Sequence, residues 1–183
     1  MKDIKYKIKF YSYWHAGGKD GANMEKDNAV LKDNHGLPYI GGKTLKGLIK
    51  DGANFIKNHQ PKLIDDEYIQ SVFGMNDQAY DDKNKGINQN NFTSAKVGQN
   101  INKDNASFLY QKKHNTAIES NKQAKKHSLR TTEVTIPLEL EARIENFTGD
   151  TDKLKLCFQA IKKSGEKRFR GLGRCVFEIT EIK

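Results

Sequence analysis

Residues 3–10, DIKYKIKF, alternate without a fault: Ile4, Tyr6, Ile8 and Phe10 fall on one side, Lys5, Lys7 and Lys9 on the other. A side-chain period of two fits a strand with one face buried and one face wet. The same pattern returns late in the chain, where Val134, Ile136, Leu138, Leu140, Ala142 and Ile144 alternate, with Pro137 on the polar side. Proline cannot donate to a ladder, so this long strand is expected at an edge or broken near Pro137. RCVFEITEI, residues 174–182, reads as a last strand.

Between these lie helical periods. In GGKTLKGLIKDGANFIKN, Leu45, Leu48, Ile49, Ala53 and Ile56 recur at helical spacing, with Thr44 as the expected cap. Gly47 and Gly52 weaken its propensity, and a helix that keeps them is expected to lie close to a sheet or a ligand backbone. LIDDEYIQSVFG is a second, shorter helix ending at Gly74. Leu154, Cys157, Phe158 and Ile161 mark a third, capped by Asp150 or Thr151. Residues 78–126 are rich in Asn, Gln, Lys and Asp, with local order only around ASFLYQ. They read as a polar, basic insertion at about 76–130 within a single domain spanning 1–183. With one further strand hidden between 60 and 130, the order is that of the split βαβ, ferredoxin-like arrangement: an α+β fold with two helices on one face of an antiparallel sheet. The other face would stay free and carry Lys5, Lys7 and Lys9.

A chain of 183 residues supports one real core and is short for two domains. No apolar stretch reaches membrane-span length and the N-terminal residues lack an apolar signal region, so the expected setting is cytoplasmic, with no membrane partner. Cys157 and Cys175 have no Cys or His at metal-ligand spacing, which argues against a zinc site or a disulfide framework. The net charge of +9 is unevenly placed. Residues 1–82 hold 12 basic and 12 acidic side chains, residues 133–183 hold 10 and 9, and residues 83–132 hold 10 and 2, a net of +8 in the middle segment alone. Charge gathered in this way suits a polyanion such as nucleic acid.

The segment GEKRFRGLGR interleaves Gly165, Gly171 and Gly173 with Lys167, Arg168, Arg170 and Arg174. It has neither the spacing of a nucleotide-hydrolase phosphate loop nor the position of a dinucleotide fingerprint. Its glycines would let backbone amides approach a phosphate, and its arginines supply fork-shaped donors. The plain alternative is a basic, solvated turn.

Taken together, GLPYIGGKTLKGLIK at 36–50 and KSGEKRFRGLGRCVFEI at 163–179 resemble the two signature regions of the RAMP superfamily of CRISPR-associated proteins. The closer similarity is to the repeating backbone subunit of type III effector complexes. The chain departs from that pattern at Gly41, where proline is expected, at Lys43 and Thr44, which replace a serine pair, and at Lys26, where an apolar residue is usual. The resemblance implies that Lys43, Thr44, Lys46 and Lys50 cradle a guide-RNA backbone. It implies that Lys167, Arg168, Arg170, Gly171, Gly173 and Arg174 form the C-terminal RNA-binding loop. It also implies a basic thumb within 83–132, with Lys112, Lys113, Lys122, Lys125, Lys126 and Arg130 as candidates. The implied partners are guide RNA, complementary target RNA, head-to-tail copies of the chain and other type III effector subunits.

In that family an Asp in the loop after the first strand serves metal-dependent cleavage of target RNA, and the matching residue here is Asp27 in MEKDNAVLKD. The resemblance therefore implies a metal-dependent endoribonuclease that uses Mg²⁺ or Mn²⁺ at Asp27. A non-catalytic guide-RNA scaffold and a repeat-RNA-processing endonuclease stand as alternatives. His15 and His35 are the acid–base candidates for the latter. His59, His114 and His127 read as solvated or RNA-proximal.

Overall fold

The computed structural model describes residues 1–17, 29–74, 90–98, 101, 103–120 and 122–183. Strand β1 (Lys2–Phe10) lies at the centre of a sheet, antiparallel to β7 (Glu139–Phe147) on one side and to β8 (Cys175–Ile182) on the other. Beyond β7 come two short strands, β3 (Asn91–Phe92) and β4 (Ala95–Val97), and β4 in turn pairs with β2 (Tyr39–Ile40). The strand order β4–β7–β1–β8, with helix α1 (Gly42–His59) before β4 and helix α3 (Thr151–Ala160) before β8, is the ferredoxin-like order expected from the sequence. Helix α2 (Asp66–Phe73) is an addition to it.

The alternating residues build the core. Ile4, Tyr6, Ile8 and Phe10 of β1 are buried, as are Leu140, Ala142 and Ile144 of β7 and Phe177 of β8. Against them lie Leu45, Ile49 and Ala53 of α1 and Leu154, Cys157 and Phe158 of α3. The Tyr6 and Phe158 rings meet at 5.1 Å between centroids. Each large apolar side chain taken fully out of water contributes about 1.5–3 kcal/mol. Asp150 caps α3 by accepting from the amide of Asp152 at 2.7 Å, and Asp65 caps α2 by accepting from that of Tyr68 at the same distance.

Three expectations need correction in detail, and a fourth resolves between its two alternatives. Helix α1 starts at Gly42 with Gly41 as its cap residue, so Thr44 lies in the first turn and does not cap it. Gly52 packs against the backbone of α3, where an added Cβ would sit 2.8 Å from the Cys157 carbonyl oxygen, whereas Gly47 faces open space. The pattern at 134–144 is broken at Pro137, one of the two outcomes expected for it: β6 (Arg130–Thr135) ends before the proline and β7 begins after it, with β7 in the sheet interior. Finally, the stretch 76–130 is not peripheral throughout. Phe92 and Ala95 of β3 and β4 are core residues, and buried Asn90 donates to the Val72 carbonyl at 3.0 Å and accepts from the Thr148 amide at 3.0 Å.

A 3₁₀ segment (Lys103–Leu109) then leads into β5 (Tyr110–Asn115), which pairs with β6 in a two-stranded hairpin separate from the main sheet.

Candidate nucleic-acid interface

The C-terminal basic loop is built by close backbone packing. Gly173 has φ +73°, and a Cβ there would fall 1.9 Å from the Ser164 carbonyl oxygen. Its own amide donates to the Tyr13 carbonyl at 2.8 Å, and its carbonyl accepts from the Ser164 amide at 2.8 Å. Both backbone groups of Gly173 are therefore engaged within the protein, and its part is to shape the loop. Gly171 differs: it also has positive φ, +84°, but nothing would meet a Cβ there. Between left-handed Lys167 and left-handed Gly171, residues Arg168–Arg170 make one 3₁₀ turn, closed by the Arg170 amide on the Lys167 carbonyl at 2.8 Å. The Lys167 ammonium donates to the Thr132 hydroxyl of β6, while Arg170 and Arg174 are exposed.

This loop, the segment leaving β1 and the base of the β5–β6 hairpin meet in one place. The Glu166 amide donates to the His15 carbonyl at 2.8 Å, and the Arg174 amide donates to the Ser12 hydroxyl at 2.9 Å. His15 is fully buried, its Nδ1 2.7 Å from the Glu133 carbonyl and its Nε2 3.7 Å from the Glu166 carboxylate. A histidine sealed in this way is not presented to a phosphodiester, which removes one of the two acid–base candidates. Trp14 is equally buried, stacked on Phe10 at 4.5 Å and donating from its indole to the Ile136 carbonyl at 3.1 Å. Together with the paired backbone bonds between Trp14 and Thr135, it fixes where the hairpin leaves the body.

The hairpin itself is basic and wet. Residues 110–135 hold six Lys or Arg, namely Lys112, Lys113, Lys122, Lys125, Lys126 and Arg130, against Glu119 and Glu133. All six except half-buried Lys113 are exposed. The Lys113 ammonium lies 4.6 Å from the centre of the Tyr13 ring, and the Lys32 ammonium lies 3.9 Å from that of Tyr110 while pairing with Glu133 at 2.9 Å. Burial, aided by the Glu133 and Asp33 carboxylates, drives the Tyr110 phenol well above its ordinary pKa, so it stays a donor, bonded to the Gly36 carbonyl at 2.6 Å. His114 is exposed with its Nδ1 3.0 Å from the Thr131 hydroxyl, and His127 is exposed as well.

The second candidate group sits apart, at the start of α1 against β3. Lys43 and Thr44 are exposed, and no acidic residue occupies the first turn of this 18-residue helix. Its N-terminal amides and its lysines therefore present the same sign of charge. Lys46 lies 5.9 Å from the centre of the Phe92 ring; partial burial first, then the neighbouring Lys50, hold its pKa below the usual lysine value. Lys50 points elsewhere and donates to the Gly74 carbonyl at 3.4 Å.

The free face of the sheet does carry Lys5, Lys7 and Lys9, but in neutralised form. Lys7 pairs with Glu141 at 3.4 Å and Glu139 at 3.7 Å, Lys9 with Glu139 at 3.5 Å, and Lys5 with Glu181. Cross-strand register sets Lys against Glu there, so the lysines expected on this face stand in a charge-paired lattice.

Asp27 lies outside the described residues. Among the described residues no three His, Cys, Asp or Glu side chains gather as a metal site. One residue escaped sequence reasoning altogether: Phe169, at the crest of the 3₁₀ turn, is 86% exposed.

No protein-family model matches the chain, and neither does any curated protein sequence. Solved structures do match. Over 97% of this chain and 96% of the other, it superposes with TM-score 0.73 and 11% identity on a chain of a type III-B Cmr-beta complex bound to cognate target RNA. The fold is shared. A chain of the apo state of a Cmr-beta complex matches at TM-score 0.69 and 12% identity, covering 98% of this chain and 97% of that one. No helix among the described residues is long and apolar enough to cross a membrane.

Proposed function

We propose that this chain is a guide-RNA-binding backbone subunit of a type III CRISPR effector complex. The observation that carries the reading is the near end-to-end fold likeness to a chain of a complex bound to cognate target RNA, combined with a basic hairpin and a basic glycine-built loop rooted at the same spot. Lys112, Lys122, Lys125, Lys126, Arg130, Arg170 and Arg174 offer exposed cations there, and phosphates are the natural counterpart. The uncapped, acid-free start of α1 with Lys43 and Lys46 supplies a second basic contact for the same backbone. Gly171 and Gly173 give the loop its shape, and Lys167 braces it against the hairpin. In this reading copies add head to tail along the RNA, a heterologous contact that does not close, beside other effector subunits.

The proposal extends to cleavage of bound target RNA through Asp27 with Mg²⁺ or Mn²⁺. The ion would stabilise charge on the phosphate under attack. That half rests on the family resemblance around Asp27, and no step is derived through the metal. Its test is a guide-loaded complex containing either the wild-type chain or Asp27→Ala, given end-labelled complementary RNA with Mg²⁺ or chelator. Regular metal-dependent cuts that vanish in the variant while binding persists support the nuclease. Bound but intact RNA from the wild-type complex makes the subunit a scaffold.

A further inference from the structure

Phe169 is the most exposed of the large apolar side chains among the described residues, at 86%, and it stands between Arg168 and Arg170. Its position is not accidental to a loose loop. The 3₁₀ turn that carries it is flanked by two left-handed residues, Lys167 (φ 54°) and Gly171 (φ 84°). The turn closes on itself through the Arg170 amide, and Lys167 is tied to Thr132 of the hairpin. The guanidinium of Arg168 lies 5.4 Å from the centre of the Phe169 ring. The ring is thus held out into water on a braced turn, with a cation beside it and a second arginine one residue on.

From this we infer that Phe169 is a stacking platform for an unpaired RNA base, with Arg168 and Arg170 meeting the phosphates on either side of that nucleotide. The inference rests on the reading of the chain as an RNA-binding subunit and adds to it a contact with a base. A phosphate-binding loop needs only cations and amides. An exposed phenyl ring adds nothing to phosphate affinity, but it offers a flat apolar surface to any base, whatever its identity. A base gains by stacking only when it is unstacked from its neighbours, so the platform suits single-stranded or kinked RNA and not a regular duplex.

The test uses the full chain and fluorescence anisotropy with a labelled oligouridine and with an abasic oligomer of equal length and charge, at one fixed salt concentration. F169A is expected to weaken oligouridine binding roughly five- to a hundredfold, F169W to restore it, and neither to change binding of the abasic oligomer. Because Trp14 is the single native tryptophan and is buried, F169W also reports directly: its added emission should be quenched by oligouridine and not by the abasic strand. Equal binding of oligouridine by wild type and F169A overturns the platform while leaving RNA binding intact. Equal loss on both oligomers overturns it as well, since that marks a change of loop shape or charge. Failure of the wild-type chain to bind either strand overturns the RNA-binding reading and the platform with it. Thermal melting of each variant confirms that the exposed site tolerates the change.

Discussion

The amide of Gly173 donates to the carbonyl of Tyr13 at 2.8 Å, tying the last loop of the chain to the first segment after β1. This bond exists because residue 173 has no side chain: its φ of +73° and the Ser164 oxygen, 1.9 Å from where a Cβ would be, leave room for nothing else. The basic loop is therefore a packed structure that displays arginines, and the glycines serve the packing.

Gly173→Ala is accordingly expected to destabilise the fold by at least about 2 kcal/mol, since left-handed strain and a backbone clash act together. Gly171→Ala meets open space and should cost only the conformational part, about 1 kcal/mol. Urea midpoints of the two variants measure the difference, and equal midpoints would contradict it.

The exposed hairpin cations and the paired sheet lysines should respond differently to neutralisation. Lys125→Gln combined with Lys126→Gln is expected to lower the log–log salt slope of single-stranded RNA binding by up to about 1.4, roughly 0.7 per phosphate contact. Lys7→Gln should leave that slope unchanged, because Lys7 already pairs with Glu139 and Glu141. A slope that falls for Lys7→Gln would move the interface to the sheet.

Acid should weaken the fold through carboxylates held in their charged form. The Tyr68 amide, and after it Lys153, hold the Asp65 carboxyl below its usual range, and hydrogen bonds from Lys5 and then Lys183 do the same for Glu181. The folded protein takes up these protons less readily than the unfolded chain. Their stabilisation is then complete above the ordinary carboxylate range of about 4 and lost as pH falls from there through their lowered folded values. Asp65→Asn still caps α2 but carries no charge, so it should lose at neutral pH the charge-dependent part of this stability and flatten the acid limb of a stability–pH curve by the same amount. An unchanged acid limb would count against the assignment.

Both cysteines should be silent in the native state. Burial pushes the Cys157 and Cys175 thiols up to about 12, so almost no thiolate exists at pH 8. Iodoacetamide should label neither until the protein is unfolded in urea, where both should react. Rapid native labelling would show that the α3–β8 packing opens readily.

How far the chain could be read from its letters follows from period. β1, β7 and β8 each have one wet and one dry face, so their alternation was plain, and Asp150 announced the start of α3. β3 and β4 were hidden because strands of two and three residues carry no period at all. The β5–β6 hairpin was hidden for another reason: apart from its base it is exposed on both sides, so hydrophobicity does not alternate along QKKHN. Charge found that region where pattern failed. The pairing of Lys5, Lys7 and Lys9 with glutamates depends on register, which no single strand reveals, and the fate of Phe169 depended on a turn set by Lys167 and Gly171.

The most direct measurement of the central claim is a hydroxyl-radical footprint of guide RNA in an assembled complex. Wild-type chain is compared with a hairpin variant carrying Lys125→Glu, Lys126→Glu and Arg130→Glu. The account predicts protection repeating at a regular interval along the guide with the wild-type chain, and loss of that periodic protection with the variant at unchanged thermal stability. A wild-type chain that leaves the guide unprotected, or protects it without any repeat, would contradict a backbone role.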